Sequence, residues 1–324
     1  MKKTLATTKL GLIAISISLV SGLTAAAIPS ELKLDYAYYA PTSLVVKEQK
    51  LLEKALPKTK IKWVFSQGSN RSLEYLNSGS TDFASTAGLA AVLSRSNGSP
   101  IKTVYVQSQP EWTALVVNKN SNIKSLKDLK GKKIAATKGT DPFLFTLQAL
   151  DTVGLGKRDV ELVHLQHPDG KTALERKQVD AWAGLDPLMA SAQVQSDAKL
   201  LYRNVGFNSY SVLSIKENFA KQSPEAVDAV IKVYEQARKW AKANPDKLAE
   251  LLLAREAKLP IEVAKLQLSR TNLDQNIPTA KHIAALQKAG SILTEEDLVR
   301  KGTNVNQVVT QLFDSKYAQK VVKK

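Results

Sequence analysis

Five short segments hold the residues best suited to gripping a solute. They are Tyr38, Tyr39, Thr42 and Ser43 around Pro41; Gly68, Ser69 and Asn70; Ser85, Thr86 and Gly88; Gly139, Thr140 and Asp141; and Asp186 before Pro187. Hydroxyls, a carboxamide and glycine-exposed N–H groups suit an oxyanion, above all at helix starts, where peptide dipoles present partial positive charge. The same residue types cap helices, and for any one segment capping is as good a reading as ligand contact. Several such segments over two α/β units point to a shared cleft. Groups for bond-making chemistry are scarce. The chain has no cysteine and only three histidines, His164, His167 and His282. This excludes thiolate zinc sites, iron–sulfur clusters and cysteine nucleophiles, and argues against a multi-histidine metal site. No G-x-S-x-G, Walker A or H-E-x-x-H motif is present. The expectation is a binding protein with no cofactor and no metal, not an enzyme.

These segments need elements to position them. Apolar alternation and short apolar runs predict strands at 32–36, 61–65, 82–84, 101–106, 113–117, 134–136, 160–165, 179–183 and 209–215. Val45, Val46, Leu52 and Leu56 recur at helical spacing and predict a helix capped by Thr42 or Ser43 and running to about residue 56. Asp141 reads as a helix N-cap ahead of Pro142, and Asp186 ahead of Pro187 by the same logic. Ser125 and Asp128 read as a capping pair, and residues 167–170 as a turn. Ser223 and Pro224 start a long helix through Trp240 in a largely helical last third. The 324 residues amount to about two domains. Strands alternating with helices predict an α/β architecture with largely parallel sheets, in which ligands sit beyond the carboxyl ends of the strands.

The formal charge of +16 raises the question of a nucleic-acid partner. The lysines are dispersed among acidic neighbours, as at Lys47, Glu48 and Lys50, and no basic stretch is interleaved with stacking aromatics, so no nucleic acid is expected. At the amino terminus Lys2, Lys3 and Lys9 precede an uncharged apolar stretch over 10–23 and then Ala25, Ala26 and Ala27. This is the order of a secretory signal peptide, with cleavage expected after Ala27 and export to the periplasm. The stretch is short for a membrane span, which needs about 20 apolar residues.

Longer matching stretches carry a family resemblance. They read Ser43-Leu44-Val45-Val46-Lys47-Glu48-Gln49-Lys50, then Leu76-Asn77-Ser78-Gly79-Ser80-Thr81-Asp82-Phe83-Ala84-Ser85-Thr86. Leu126-Lys127-Asp128-Leu129-Lys130-Gly131-Lys132-Lys133-Ile134-Ala135, Lys138-Gly139-Thr140 and Val179-Asp180-Ala181-Trp182-Ala183-Gly184-Leu185-Asp186-Pro187 follow. In this order and spacing the chain resembles the solute-binding proteins of ABC importers for aliphatic sulfonates, taurine and nitrate. The likeness is best over 32–213, and the helical last third matches only in character.

The resemblance implies a type II, two-lobed periplasmic-binding-protein fold, each lobe a mixed, mostly parallel sheet flanked by helices. Lobe I would comprise 28–111 with 215–324, and lobe II 112–214, with hinge crossings near Trp112 and Leu213. It further implies a monomer that closes on a small anionic organic solute, a sulfonate, and docks on the transmembrane subunits of a permease. Taurine, nitrate, a thiamine precursor, a phosphonate or an aromatic carboxylate are alternative solutes. An enzyme of the thiamine-pyrimidine-synthase type is a remote alternative. By match to the family, Ser85 and Thr86 contact the ligand from one lobe, and Gly139 and Thr140, with Asp141 beside them, from the other. Asp186 either pairs with an amino group of the solute or caps its helix, and Trp182 either walls the pocket or fills a sheet face. Gly68, Asn70, Thr42 and Ser43 complete the grip, with Arg71, Lys138 and His167 as nearby groups; His164 is expected on a strand and His282 on a surface helix. The loop Tyr36-Ala37-Tyr38-Tyr39-Ala40-Pro41 is more aromatic than the family's glycine-containing loop, and Asp141-Pro142-Phe143 replaces a serine-rich run. Tyr38 and Tyr39 would form an apolar wall, and a larger or aromatic sulfonate is the expected consequence.

Overall fold

The computed structural model describes residues 28–322, so the expected signal peptide and its cleavage near Ala27 lie outside the described residues. The chain opens with β1 (Glu31–Tyr36), β2 (Lys60–Phe65), β3 (Phe83–Ala87) and β4 (Ile101–Pro110). The middle supplies β5 (Leu115–Val117), β6 (Lys133–Ala135), β7 (Glu161–Val163), β8 (Ala181–Ala183) and β9 (Lys199–Tyr202), and β10 (Ser211–Lys216) and β11 (Thr271–Asn272) follow. They form two sheets, ordered β11-β4-β10-β3-β1-β2 and β7-β6-β8-β5-β9.

The two sheets share one plan. β1 lies parallel between β2 and β3, and β6 lies parallel between β7 and β8. Each sheet then admits one interior reversed strand, antiparallel to both of its neighbours: β10 between β3 and β4, and β5 between β8 and β9; the two-residue edge strand β11 also runs antiparallel, to β4. The sheets are therefore mixed, with most strands running one way, as expected. The reversed strand of the first sheet arrives only after the second sheet is complete. Ser211 and the residues after it, expected to close the middle segment, pair instead with β3 and β4. In both sheets the strand order reverses about the central strand, which leaves a crevice at the carboxyl ends, where loops diverge to opposite faces.

Local sequence explains the helices that reach that crevice. Ser69–Ser78 starts after Gly68, buries Ser69, Ser72, Leu73 and Leu76 at helical spacing, and stops at Gly79, whose φ of 78° suits a residue without Cβ. Pro41 begins the Pro41–Glu48 helix, so Thr42 and Ser43 sit in its first turn instead of capping it. That helix does not run to residue 56: Lys50 is left-handed, and a separate helix, Leu51–Ala55, follows. Residues 167–170 are not a turn but the start of the His167–Glu175 helix, with Pro168 in the first turn, where its missing N–H leaves no helical bond unmade. Ser125 and Asp128 form the expected capping box, on a single 3-10 turn. The long Pro224–Ala243 helix buries Val227, Val230, Ile231 and Tyr234 against Leu32, Leu34, Val45 and Phe83. His282 is buried, not on a surface: its Nδ1 accepts the Thr279 N–H at 3.0 Å, and its ring meets Tyr210 edge-on. Among the described residues no helix is long and apolar enough to cross a membrane.

Candidate binding cleft

The carboxyl-end loops of the two sheets meet around a cavity of about 180 Å³. From the first sheet come Tyr38 and Tyr39 after β1, and Phe65, Ser66 and Gln67 at the end of β2. Pro168 reaches it after β7, and Leu185, Asp186, Pro187 and Leu188 after β8; Ala257 and Leu259 from the helical last third complete the wall. Three helices begin at its edge: Ser69–Ser78 just past Gln67, His167–Glu175 around Pro168, and Leu188–Ser196 just past Pro187. Their starts bring partial positive charge to one place. The Ser66 side chain is fully buried, and its hydroxyl lies close enough to the buried Asp35 carboxylate to help hold down a pKa that burial raises.

The aromatic wall is fixed. The Tyr38 and Phe65 rings lie 4.6 Å apart between centroids, and Tyr36 backs Phe65 at 5.4 Å. The Tyr38 hydroxyl donates to the Glu256 carbonyl at 2.9 Å, and the Tyr39 hydroxyl to the Ser85 carbonyl at 2.8 Å. Both phenols are thus tied to backbone, and the rings serve as apolar surface.

Beside the cavity the two sheets' loops touch along a seam. A Cβ on Gly68 would stand 2.8 Å from His167 Nε2, and one on Gly139 would stand 3.6 Å from the Asn70 Cβ. Asn70 reaches Gln166 across the seam at a long 3.5 Å. Thr137 donates its hydroxyl to the Leu165 carbonyl at 2.7 Å, so its oxygen accepts Nδ1–H of His167 at 3.1 Å. Nε2 is then a bare acceptor without a partner, as is Asn70 Oδ1. Burial lowers the His167 pKa to about 3, so the ring is neutral.

Two buried carboxylates join distant parts of the chain, Asp186 at the cavity and Asp141 away from it. Asp186 accepts from Arg270 at 3.3 and 3.4 Å and from the Ala190 N–H at 2.9 Å, and Arg270 also donates to Gln193. Burial raises the Asp186 pKa to about 6, against the pull of Arg270. Asp141 accepts from Trp112 Nε1 at 2.9 Å and from the Ser209 N–H and hydroxyl at 2.8 and 2.7 Å; burial raises its pKa too. Among the described residues no cluster of His, Asp and Glu is arranged to hold a metal.

A family profile described as NMT1/THI5 like matches residues 60–248. The chain belongs to that family. It is similar to the alkanesulfonate-binding protein SsuA from Xanthomonas axonopodis pv. citri, solved bound to MOPS, with 26% identity and a TM-score of 0.82 over 89% of this chain and 99% of that one. It is also similar to the periplasmic aliphatic sulphonate binding protein SsuA from Escherichia coli, at 28% identity and a TM-score of 0.75 over 86% and 92% of the two chains. The desulfurization enzyme DSZB shares the fold alone, at 15% identity and a TM-score of 0.66 over 91% and 99%. The family's two-lobed α/β architecture is therefore the fold of this chain.

Within this family fold the expected residues separate into two groups. Tyr39 and Asp186 line the cavity, and Gly68, Asn70, Gly139 and His167 meet along the seam beside it. The others are tied up elsewhere. Thr42 donates to Gln107 at 2.8 Å, and Ser43 donates to the Ala40 carbonyl at 2.7 Å. The Ser85 N–H donates to Asp35 at 2.7 Å, and Thr86 pairs with Ser214 at 3.2 Å within the sheet. Thr140, not Asp141, is the N-cap residue, with its hydroxyl on the Thr137 carbonyl at 2.6 Å; Asp141 is the first helical residue and faces Trp112 and Ser209. Trp182 fills the core between β8 and its helices, where the missing side chain of Gly170 leaves room for the indole. Arg71 is exposed and paired with Glu74, and Lys138 is exposed. His164 lies just past the end of β7, exposed. Reading by residue type passed over Ser66, Phe65, Leu188 and Arg270. Ser66 carries the same signal as Gly68, a polar residue in a strand-to-helix turn. Arg270 carries none, since its partner is 84 residues away.

Proposed function

We propose that this protein is the exported solute-binding component of an ABC importer, that it takes an organic sulfonate into the cleft, and that it delivers the solute unchanged to a membrane permease. The observation that carries the reading is the cavity itself. The starts of the Ser69–Ser78 and His167–Glu175 helices offer partial positive charge to an anionic head, and the lining has no free charged side chain, because Asp186 is held by Arg270. A sulfonate spreads its charge over three acceptor oxygens, which suits neutral dipoles. The similarity to two sulfonate-binding relatives over nearly their whole length supports the same assignment.

In this reading the first sheet, β10 (Ser211–Lys216) included, forms one lobe with the helical last third, the second sheet forms the other, and the lobes close by hinge motion about crossings near Trp112 and just ahead of Ser211 instead of at Leu213. Tyr39, Gly68, Asn70, Gly139 and Asp186 shape the cleft or its closure. The protein acts as a monomer in the periplasm after loss of its first 27 residues, and it has no catalytic step. The test is a thermal-shift comparison of the purified protein with benzenesulfonate, ethanesulfonate, nitrate, phenylphosphonate and benzoate. A solute that binds only the folded state raises stability by about 2.7 kcal/mol at one hundred times its dissociation constant. The sulfonates should raise the melting temperature and be recovered intact. A shift with nitrate, phenylphosphonate or benzoate alone would overturn the assignment, and consumption of the sulfonate would make the protein an enzyme.

A further inference from the structure

We propose that the cleft selects a sulfonate whose tail is an uncharged, ring-sized apolar group, clamped between the Tyr38–Phe65 ring pair and the Pro187–Leu188 edge. The inference rests on the sulfonate reading above and adds the chemistry of the tail.

Three observations carry it. First, apart from the Gln67 carboxamide next to Ser66, at the end assigned to the head, the walls offer a tail little that is polar. The phenols of Tyr38 and Tyr39 donate to the carbonyls of Glu256 and Ser85, and what remains at this end is ring and aliphatic surface from Phe65, Leu185, Leu188 and Leu259. A hydroxyl or amine enclosed here would lose its water without gaining a partner. Second, the lining carboxylate is unavailable. Asp186 accepts from Arg270 and from the Ala190 N–H, so an ammonium tail meets no free negative charge, and Arg270 adds a like charge close by. A taurine-like solute, for which Asp186 reads as the natural counter-ion in the sequence, is therefore disfavoured. Third, the size fits one ring. A dry cavity near 150 Å³ accommodates benzene, and this one measures about 180 Å³. The wall is also preformed: Phe65 is wedged between Tyr36 and Tyr38, so few rotamers have to be ordered on binding.

The head then falls at the Ser66 end, near the start of the Ser69–Ser78 helix, and the tail toward Leu188. Titration calorimetry of the purified protein with benzenesulfonate, ethanesulfonate, propanesulfonate and taurine tests this. Benzenesulfonate should bind at least about tenfold more tightly than ethanesulfonate, since several more carbons leave water. Propanesulfonate should bind at least about tenfold more tightly than taurine, which has a similar length but carries an ammonium group. Phe65→Ala and, as a milder second variant, Leu188→Ala should each narrow the preference for benzenesulfonate over ethanesulfonate, with folding checked by circular dichroism. Equal or tighter binding of ethanesulfonate overturns the tail assignment and leaves the sulfonate function standing, and so does equal or tighter binding of taurine than propanesulfonate. An unchanged preference in a folded variant overturns the placement of the tail. No binding of any of the four overturns the function itself.

Discussion

The cavity and the seam lie between the same two sets of loops, yet one is open and the other shut. At the cavity the facing residues are large, and each is held back by its own anchor: Tyr38 by Glu256, Tyr39 by Ser85, and Asp186 by Arg270. At the seam the facing residues are Gly68 and Gly139; the side chains of His167 and Asn70 occupy the space that a Cβ on Gly68 would need, and Gly139 turns the backbone at a φ of +78°. Room for a solute is thus created by restraint of big side chains, and closure is permitted by the absence of small ones. The two regions should respond differently to substitution.

The largest effect is expected at the anchor of the cavity. Arg270→Met leaves the Asp186 carboxylate buried without its counter-charge, which costs about 3–5 kcal/mol. Chemical denaturation should show that loss, and the double variant Asp186→Leu with Arg270→Met should recover most of it. A single variant as stable as the parent would mean that the pair does not form in solution.

Next comes pH, at the seam. The folded protein keeps His167 neutral down to about pH 3, whereas the unfolded chain titrates near pH 6.5. Stability linked to this group is complete above pH 6.5 and is lost as pH falls toward 3. By pH 5 the loss is about 2 kcal/mol. His167→Gln removes that dependence, so the stability of the variant relative to the parent should improve between pH 7.5 and pH 5. A difference that stays constant over this range would show an imidazole already charged in the fold.

The two glycines then separate steric from conformational closure. Gly68 has an extended backbone, with φ −176°, that any residue adopts, so Gly68→Ala acts only by driving a methyl group into the His167 ring. About tenfold loss of benzenesulfonate affinity is expected. Gly139 has a φ of +78° and ordinary clearance from Asn70, so Gly139→Ala acts through the backbone instead, costing about 1 kcal/mol of stability. Should Gly68→Ala bind solute normally, the seam does not have to close on the ligand.

The alternation of strands and helices was legible in the sequence because Leu32 and Leu34 in β1, or Leu73 and Leu76 in the next helix, declare their periods locally. Only part of the aromatic wall was legible: Tyr38 and Tyr39 are bulky residues in a loop that helix capping does not explain, whereas Phe65, which Tyr38 packs against, reads as an ordinary strand residue. Local reading failed where one signal has two outcomes. Asp141-Pro142 and Asp186-Pro187 look alike, but Asp141 holds Trp112 and Ser209 while Asp186 holds Arg270 and the Ala190 N–H. His167-Pro168 resembles a turn until the burial of His167 shows that it opens a helix. Contacts such as Asp186 with Arg270 depend on where the last third of the chain returns, and no short-range pattern records that return.

The reversed strand of the first sheet has a consequence for synthesis. A nascent chain that has reached residue 110 has made β1 to β4, but the strand that joins β3 to β4 arrives only at Ser211–Lys216. Until then two neighbouring edges present unpaired amides, the kind of surface that templates aggregation. A fragment ending near residue 110 is therefore not a foldable half of this molecule, and ribosome-bound intermediates of that length are where a holdase would have most to cover.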